Sequence, residues 1–360
     1  MKKIAAFEIS YLQYLNEHSE PTQAFPAFAT DEALLKFYKQ MTLLRVFDYK
    51  MVNLHRIGKI GTFPSSLGQE AIFVATGLAM QKEDILCPFY RDHGVAISRG
   101  YLFSDILAYW SGDERGNNSQ FAKKDFPVCI PIAGQCLHAT GVAYAIKYKK
   151  ENKVVVANIG DGGTSKGDFY EAMNLAGIWN LPLVFIVDNN QWAISVPVTK
   201  QTAAETLAQK GIAAGIDCIQ VDGNDVIAVF EAVQNAITQS RQGGKPTVIE
   251  AISFRLADHT TVDDATRYTK EEVKKDAWKK EPIARLGYYL EEKKLWSREK
   301  EAELQEECKQ AVEQAFEKYF LIKKQTPESM FDFLFETLPD SLIDQRNDLV
   351  SEFTAHSKEK

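Results

Sequence analysis

The 360-residue sequence predicts an α/β fold, a mostly parallel sheet with helices on both faces. Two apolar runs, VVVANI from position 154 and LPLVFIVD from position 181, are typical of buried strands. A helix-like segment lies between them, and further strand and helix patterns alternate after them. Such alternation indicates strand–helix–strand units, whose parallel strands are covered on both faces.

The N-terminal third is predicted to hold an arm and several helices. Residues 1–30 alternate apolar and turn-prone positions and are predicted to lie on another surface. Thr30 or Asp31 can cap a helix that extends to about Ile57, because its apolar residues recur at helical spacing. The elements predicted next are a helix at 69–80, a short strand at 84–89, a helix at 105–111 and a polar loop at 112–124.

The rest of the chain continues the alternation and ends in charged helices. The predicted elements are a helix at 139–149, the two long strands, a helix near 203–214, a strand at 218–221, a helix at 226–239, a strand at 247–253, a polar loop at 255–269 and amphipathic helices near 283–290 and 304–320. We therefore predict an arm and helix at 1–60, an α/β core at 61–270 and a helical tail at 271–360, packed as one structural unit with the core.

Composition narrows the class of protein. The net charge is −7 and the chain has no long basic run, so nucleic-acid binding is not expected. Apolar runs are too short to span a membrane, and Glu8 interrupts the N-terminus before a signal peptide can form. The five cysteines are odd in number and form no C-x-x-C pair, which favours reduced thiols in a cytoplasmic protein.

Each long strand leads into a polar turn, at positions 160–163 and 189–190. Parallel strands joined by a helix end at the same sheet edge, so Asp161 and Asn190 are predicted to be neighbours. A carboxylate, an amide oxygen and a glycine-rich turn suit a divalent cation that carries a diphosphate. A backbone carbonyl at 191–192, two phosphate oxygens and a water would complete six ligands for Mg²⁺. The glycines are expected to allow positive φ and a close approach of backbone N–H groups to phosphate.

Two other interpretations of this segment stay open. One is a tight turn with no ligand, followed by a helix that a Ser165–Asp168 capping box begins. The other is a dinucleotide site, in which Asp188 would hold a ribose. Ser165 stands where that motif has its third glycine, and Asp161 would repel a bare pyrophosphate. The sequence therefore favours a metal–diphosphate site.

Two more loops carry candidate residues. Tyr90 and Arg91 follow a predicted strand, and an arginine there can bind phosphate, although a salt bridge to Asp92 is the alternative. His259 lies in a loop after the last predicted strand, among several aspartates. Loops at the carboxyl edge of a parallel sheet are where ligands bind, which brings His259 into consideration.

The combination of these segments resembles a known family. The segment from Gly160 to Asn190 resembles the thiamine-diphosphate binding motif, and nearly the whole chain resembles the α subunit of the E1 component of 2-oxo acid dehydrogenase complexes, especially the bacterial pyruvate dehydrogenase type. The resemblance implies the thiamine-diphosphate-binding fold, in its diphosphate-binding half. The segments that carry it are 68–71, 90–91, 160–171, 189–195, 221–225 and 258–268.

The resemblance implies a role for each candidate residue. Mg²⁺ would be bound by the side chains of Asp161 and Asn190 and by the backbone carbonyl of Trp192. Ile132 would support the bent cofactor, and His259 is the candidate catalytic residue. The residues expected to contact the diphosphate are Gly160, Gly162, Gly163, Tyr90, Arg91 and His259.

A few positions bear on the His259 loop. The resemblance implies that Arg255 and Asp263 order this loop. Thr269 replaces an arginine that the family often has, and Thr260 replaces a serine that is phosphorylated in mitochondrial relatives, so that regulation is not assumed. Trp192 replaces a Tyr or Phe, a change that matters little if its carbonyl is the ligand.

The resemblance also implies an activity and partners. The family decarboxylates a 2-oxo acid and passes the acyl group to the lipoyl group of an E2 partner. No segment resembles the half that carries the required glutamate, so an E1 β subunit is expected in an α₂β₂ heterotetramer. Pyruvate is the expected substrate, since Phe63 and Phe89 would narrow the site, and branched-chain 2-oxo acids are the alternative. An NAD-dependent Rossmann dehydrogenase and a catalytically silent scaffold are the alternatives from other classes.

Overall fold

The computed structural model describes residues 1–332 and 334–358, and the predicted tail positions 333, 359 and 360 lie outside that description. The chain forms a compact unit, Met1–Phe316, and a second unit that begins at Glu317. The second unit contains the 3-10 turn Pro327–Met330 and a long helix. The three-part division expected from the sequence stays a prediction.

The regular elements are numbered in chain order. The strands are β1 (Ser10–Leu12), β2 (Ile85–Cys87), β3 (Val155–Gly160), β4 (Leu183–Asn189), β5 (Trp192–Ala193), β6 (Val196–Pro197), β7 (Asp217–Asp222) and β8 (Thr247–Ile252). The helices are α1 (Asp31–Arg56), α2 (Glu70–Ala79), α3 (His93–Ser98), α4 (Phe103–Trp110), α5 (Gly134–Lys149), α6 (Gly167–Trp179), α7 (Val198–Gln201), α8 (Lys210–Ala213), α9 (Val226–Arg241), α10 (Glu271–Trp278), α11 (Pro282–Glu292), α12 (Arg298–Phe320) and α13 (Asp340–Lys358).

A six-stranded sheet organises the first unit. Its order is β1-β7-β8-β4-β3-β2, and all of its neighbouring strands pair in parallel. Strands β5 and β6 form a small separate antiparallel pair. The α/β fold with a parallel sheet is therefore confirmed.

Successive residues of the central strands face opposite sides of the sheet. Val156 and Val184 belong to one apolar cluster, which includes buried residues of α1, α2, α9 and α11. Val155 and Phe185 belong to a second cluster with residues of α5 and α6. Because helices cover both faces, the strands are apolar at nearly every position, and this produced the continuous runs in the sequence.

The N-terminal arm contributes a strand that the sequence did not indicate. β1 pairs with β7, with Ser10 opposite Ile219. Beyond it, the buried Asp225 carboxylate accepts hydrogen bonds from the backbone N–H groups of Tyr14 (2.6 Å) and Leu15 (2.9 Å). Its other oxygen accepts from Ile227 N (3.0 Å) and caps α9. One side chain thus connects the arm to a helix of the core.

The helix predicted near 203–214 is wrong, except for the single turn α8. The buried Glu250 carboxylate accepts hydrogen bonds from the N–H groups of Leu207 (2.8 Å) and Ala208 (3.0 Å). Because these N–H groups donate to Glu250, they need no carbonyl acceptor within a helix, and the segment between α7 and α8 stays irregular. The capping box is also wrong, because α6 begins at Gly167 and no side chain caps it.

Other features agree with the sequence or extend it. Thr30 caps α1 by accepting from Ala33 N (3.3 Å), and α5 begins at Gly134, five positions before its predicted start. All five cysteines are free. Among the described residues, no helix has both the length and the apolar character needed to cross a membrane.

We predict that Asp225→Ala detaches the arm. The substitution removes a helix cap and leaves two buried N–H groups without an acceptor, which together should lower the free energy of unfolding by about 2–5 kcal/mol. Denaturant unfolding measures that loss, and limited proteolysis should show faster cleavage before α1. Thr30→Ala is the control, since it removes the cap of α1, leaves the bonds between Asp225 and the arm intact and should cost about 1 kcal/mol. Equal proteolysis of both variants would contradict the assignment.

Candidate functional site

A cavity of ≈ 220 Å³ lies where the central strands end. It brings together all of the residues that the sequence singled out as a site, namely Tyr90, Arg91, Ile132, Gly160, Asp161, Gly162, Gly163, Asn190, Trp192 and His259. Phe89 also lines it, whereas Phe63 does not and is buried against Phe47, His93 and Trp110. The expectation that Phe63 narrows this cavity is therefore wrong.

The register of β3 and β4 makes Asp161 and Asn190 neighbours. Gly160 pairs with Asp188, so Asp161 lies one residue and Asn190 two residues beyond that pair. Adjacent strands are about 4.8 Å apart, which puts the two side chains at the same edge. The neighbourhood predicted from the strand–helix–strand pattern is confirmed.

Asp161 contributes a buried carboxylate to the cavity. Its carboxylate is 1% exposed, and Oδ2 has no hydrogen-bond partner among the described residues. Burial raises the pKa of this carboxyl to about 6, although the Gly162 N–H and the charge of Arg255 act in the opposite direction. A buried acceptor without a partner is costly unless a cation or a donor comes to it.

The glycines of the turn serve packing. Gly160 has φ −74°, and neither Gly162 nor Gly163 has positive φ, so that part of the sequence argument is wrong. A Cβ on Gly162 would come within 2.7 Å of Ala193 Cβ, and one on Gly163 within 2.6 Å of Ile159 Cγ1. Because these two positions carry no side chains, Ala193 and Ile159 can pack directly against the turn.

Lys210 forms hydrogen bonds with the same turn. Lys210 Nζ donates to the carbonyl and to the hydroxyl of Thr164, both at 2.9 Å. The Thr164 hydroxyl in turn donates to the Asp161 carbonyl (2.7 Å). Through this chain of hydrogen bonds, α8 fixes the backbone of the turn that carries the acidic side chain.

Asn190 presents its oxygen edge toward the cavity. Its Nδ2 donates to Gln69 Oε1 (2.8 Å), and its Oδ1 accepts a long hydrogen bond from Trp192 N (3.3 Å). The Trp192 carbonyl accepts from Arg255 Nη1 (3.3 Å) and keeps a second lone pair. Three oxygen atoms, one each from Asp161, Asn190 and Trp192, are thus available around one edge of the cavity.

Two arginines contact His259. Nη2 of Arg91 lies 3.1 Å from His259 Nδ1 and also donates to the His259 carbonyl (2.9 Å), while Nη1 donates to Ser65 O (2.6 Å). Arg255 Nη1 lies 3.4 Å from the same ring nitrogen. Because guanidinium groups donate and cannot accept, Nδ1 must be the acceptor and the ring proton is on Nε2.

Electrostatics keep this histidine neutral. Burial, with the charges of Arg91 and Arg255, lowers the pKa of His259 to about 3. The ring is therefore a fixed Nε2–H donor at neutral pH. Asp263 accepts from His259 N (2.9 Å) and from the Tyr268 hydroxyl, while Arg255 Nη2 donates to the same hydroxyl (2.7 Å). Arg255 and Asp263 thus form hydrogen bonds within the loop that they were expected to order.

The mouth of the cavity is apolar and open. Ile132 is 42% exposed and Ile194 is 55% exposed, although both line the cavity. Close by in the chain, Ile130 and Val196 are also exposed. Exposed aliphatic side chains that surround a polar cavity are typical of a surface that a ligand or another chain covers.

Sequence reasoning gave no role to several residues here. Gln69 stands in a segment that carried the family resemblance, yet its contact with Asn190 crosses a distance of 121 positions in the chain. Gln135 lines the cavity with an Oε1 that has no partner in the described part of the chain, and Cys129 lines it too. No periodicity or local motif signals such contacts, because they depend on the tertiary fold.

The donor set decides which metal fits. Within residues 1–332 and 334–358, no group of three or more His, Cys, Asp or Glu side chains could hold a metal ion. A hard cation does not need such a group, since Mg²⁺ is usually held by one or two carboxylates and by oxygen atoms of a bound phosphate. Asp161 Oδ2, which no described residue pairs, fits that pattern together with the Asn190 oxygen and the Trp192 carbonyl.

Comparison with known proteins agrees with this geometry. The family model described as "Dehydrogenase E1 component" matches residues 38–328. The pyruvate dehydrogenase E1 component subunit alpha of Mycoplasma genitalium is 38% identical over 317 residues, 88% of each chain. The protein of the same name from Bacillus subtilis is 38% identical over 341 residues, 92% of this chain and 90% of the relative. The protein of the same name from Staphylococcus aureus is 38% identical over 323 residues, 88% of this chain and 86% of the relative.

These matches span both the cavity and most of the surrounding fold. They do not favour a dinucleotide dehydrogenase, the main competing interpretation of the segment around Asp161. The chain belongs to the dehydrogenase E1 component family.

Proposed function

We propose that this chain is the α subunit of a thiamine-diphosphate-dependent E1 enzyme that decarboxylates pyruvate and passes the acetyl group to the lipoyl group of an E2 partner. One observation carries the proposal. The buried Asp161 Oδ2, which has no hydrogen-bond partner among the described residues, lies in the same cavity as Asn190, Arg91 and His259. The names of the three relatives support the choice of pyruvate.

Mg²⁺ would be held by Asp161, Asn190 and the Trp192 carbonyl. A cation at this position would satisfy the buried carboxylate oxygen, for which the described part of the chain offers no partner. Asn190 and Trp192 add neutral oxygen ligands, which leaves positions for phosphate oxygens and water. The metal would thereby shield Asp161 from the negative charge of the diphosphate.

The diphosphate would lie between this metal and the cationic side of the cavity. Tyr90 and Arg91 lie on one loop and His259 on another, and Arg91 also has its guanidinium over the Tyr90 ring (5.5 Å). His259 offers an Nε2–H donor whose direction is fixed by the two arginines at Nδ1. In this proposal His259 binds and orients, since a ring with a pKa of about 3 is a poor base at neutral pH.

The remaining residues shape the apolar part of the site. Bound thiamine diphosphate supplies the electron sink for loss of CO₂ from a 2-oxo acid. Ile132 and Ile159 present aliphatic surface beside Gly163, where they would support the cofactor and exclude water. Phe89 lines the same cavity and would limit the size of the substrate. Branched-chain 2-oxo acids are the less favoured substrate class.

A β subunit is proposed to complete the active site in an α₂β₂ assembly. The outer faces of α5 and α6 expose a surface formed by Leu137, Tyr144, Tyr148, Tyr170, Ile178 and Trp179, here called the α5–α6 face. Its Tyr144 and Trp179 rings lie 5.0 Å apart. Apolar patches of this kind mark protein interfaces. We also propose a cytoplasmic location, which the five free cysteines support.

Asp161→Ala should abolish Mg²⁺-dependent binding of thiamine diphosphate, because the charged metal ligand is lost. Calorimetry on the full-length chain with its β partner, with and without Mg²⁺, measures this. Asp168→Asn is the matched control, since Asp168 lies in the first turn of α6 and does not line the cavity. Unchanged, metal-dependent binding by Asp161→Ala would refute the site. Tight NADH binding without thiamine diphosphate binding would instead favour the dinucleotide alternative.

Ile178→Glu should prevent assembly with the β subunit while the chain stays folded. Ile178 is 67% exposed, so the charge disturbs no internal packing but would be buried on assembly. Analytical ultracentrifugation of the mixed subunits measures assembly, and Lys149→Glu, at the end of α5 outside this face, is the control.

The purified chain alone should not decarboxylate pyruvate at the rate of the mixture with the β subunit. If it does, the shared active site is wrong.

The assembled enzyme should prefer pyruvate to 2-oxoisovalerate. The kcat/KM ratio should be about 10-fold or more, the range that small differences in apolar bulk produce in a confined pocket. Steady-state assays with both 2-oxo acids, with the β subunit and a lipoyl acceptor present, measure the ratio. A ratio below one would assign the branched-chain activity.

A further inference from the structure

We propose that Gln69 is a positioning residue that sets which edge of the Asn190 amide faces the metal. This inference rests on the proposed function, because it concerns a ligand of the proposed Mg²⁺ site. Gln69 is fully buried and does not line the cavity, so it acts through Asn190.

The two edges of an asparagine amide have the same shape and opposite polarity. The oxygen edge accepts and can bind a cation, whereas the NH₂ edge donates and would repel one. The position of Asn190 near Asp161 at a strand end is therefore not enough to make Asn190 a metal ligand. Some contact must hold the oxygen toward the cavity.

Three contacts of Asn190 define that orientation. Nδ2 donates to Gln69 Oε1 at 2.8 Å and lies 3.5 Å from Asp188 Oδ2, and Oδ1 accepts from Trp192 N at 3.3 Å. The Gln69 contact is the shortest of the three and has the geometry of a normal hydrogen bond. Since neither Gln69 nor Asp188 lines the cavity, the NH₂ edge is turned away from it.

Gln69 is itself held in place by a tight turn. Its backbone N donates to Ser66 O (3.0 Å), and its Nε2 lies 3.5 Å from Leu67 O, which leaves Oε1 to face Asn190. Gly68 has φ +89°, and a Cβ there would come within 2.4 Å of Phe254 O. The Glu70 carboxylate accepts from Gly68 N (2.9 Å) and closes the turn.

The turn is also fastened to α1. Asp48 accepts from Ser66 N (2.6 Å) and from both the Ser65 and Ser66 hydroxyls. Arg45 pairs with Glu70 (2.8 Å). A side chain on so constrained a backbone is well suited to orient a neighbouring ligand, as partners behind metal ligands commonly do.

The test compares two substitutions of Gln69 in the full-length chain with its β partner. Gln69→Met keeps the size of the side chain and removes the acceptor, whereas Gln69→Glu keeps an acceptor for Nδ2. Thr76→Val is the control, because Thr76 is buried in α2, its hydroxyl has no partner among the described residues, and it does not line the cavity. The readout is Mn²⁺ binding by electron paramagnetic resonance at a fixed thiamine diphosphate concentration, with the melting temperature of the free protein.

The half-saturating Mn²⁺ concentration should rise about 10–100-fold in Gln69→Met and stay within a few-fold of the parent in Gln69→Glu and Thr76→Val. If both Gln69 variants lower the melting temperature and leave Mn²⁺ binding unchanged, Gln69 is merely structural and the inference is overturned. If Gln69→Met does not fold, a large loss of Mn²⁺ affinity in Gln69→Glu overturns it as well. If the unsubstituted protein binds no Mn²⁺ in the presence of thiamine diphosphate, the proposed function itself is wrong. That outcome is distinct from a failure of the Gln69 inference alone.

Discussion

The parallel pairing of β3 with β4 is the constraint on which the rest of the structure depends. It fixes Gly160 opposite Asp188 and so brings two polar turns to one edge. The strands that flank this pair complete the pattern, because the order β8-β4-β3-β2 is contiguous. β2 leads to Arg91 and β8 leads to His259. Four neighbouring strands therefore each deliver at least one side chain to the same cavity, and the helices on both faces hold that register by burying the strands.

The cavity brings groups of opposite charge close together. Acceptors from Asp161, Asn190 and Trp192 line it together with Arg91, and Arg255 lies behind it, within reach of both the Trp192 carbonyl and His259 Nδ1. Burial and the charge of Arg91 lower the pKa of Arg255, which reflects the cost of placing two cations near each other. An anion would relieve that cost, and a cation would relieve the isolated carboxylate. Local arrangements that are unfavourable without a ligand are common where a protein is built to bind one.

The sequence predicted the parts of this site that follow from strand patterns and strand ends. Asp161 and Asn190 were predictable because long apolar runs mark central strands, and parallel topology then dictates a shared edge. The N-terminal strand was not predictable, because three residues are too short for a period to show. The irregular stretch before α8 was not predictable either, since it depends on Glu250, which is far away in the chain. Gln69 belongs to a segment that carried the family resemblance, but its role depends on a hydrogen bond that only the tertiary fold creates.

The position of β1 has a consequence for how the chain acquires its fold during synthesis. Ser10 leaves the ribosome long before its partner Ile219 is made. At about 5–20 residues per second, the arm waits for tens of seconds before β7 exists. β1 therefore cannot nucleate the sheet and can pair, as the outermost strand, only after β7 has been made. Until then β7 has an open edge, the kind of edge that pairs with other chains and leads to aggregation.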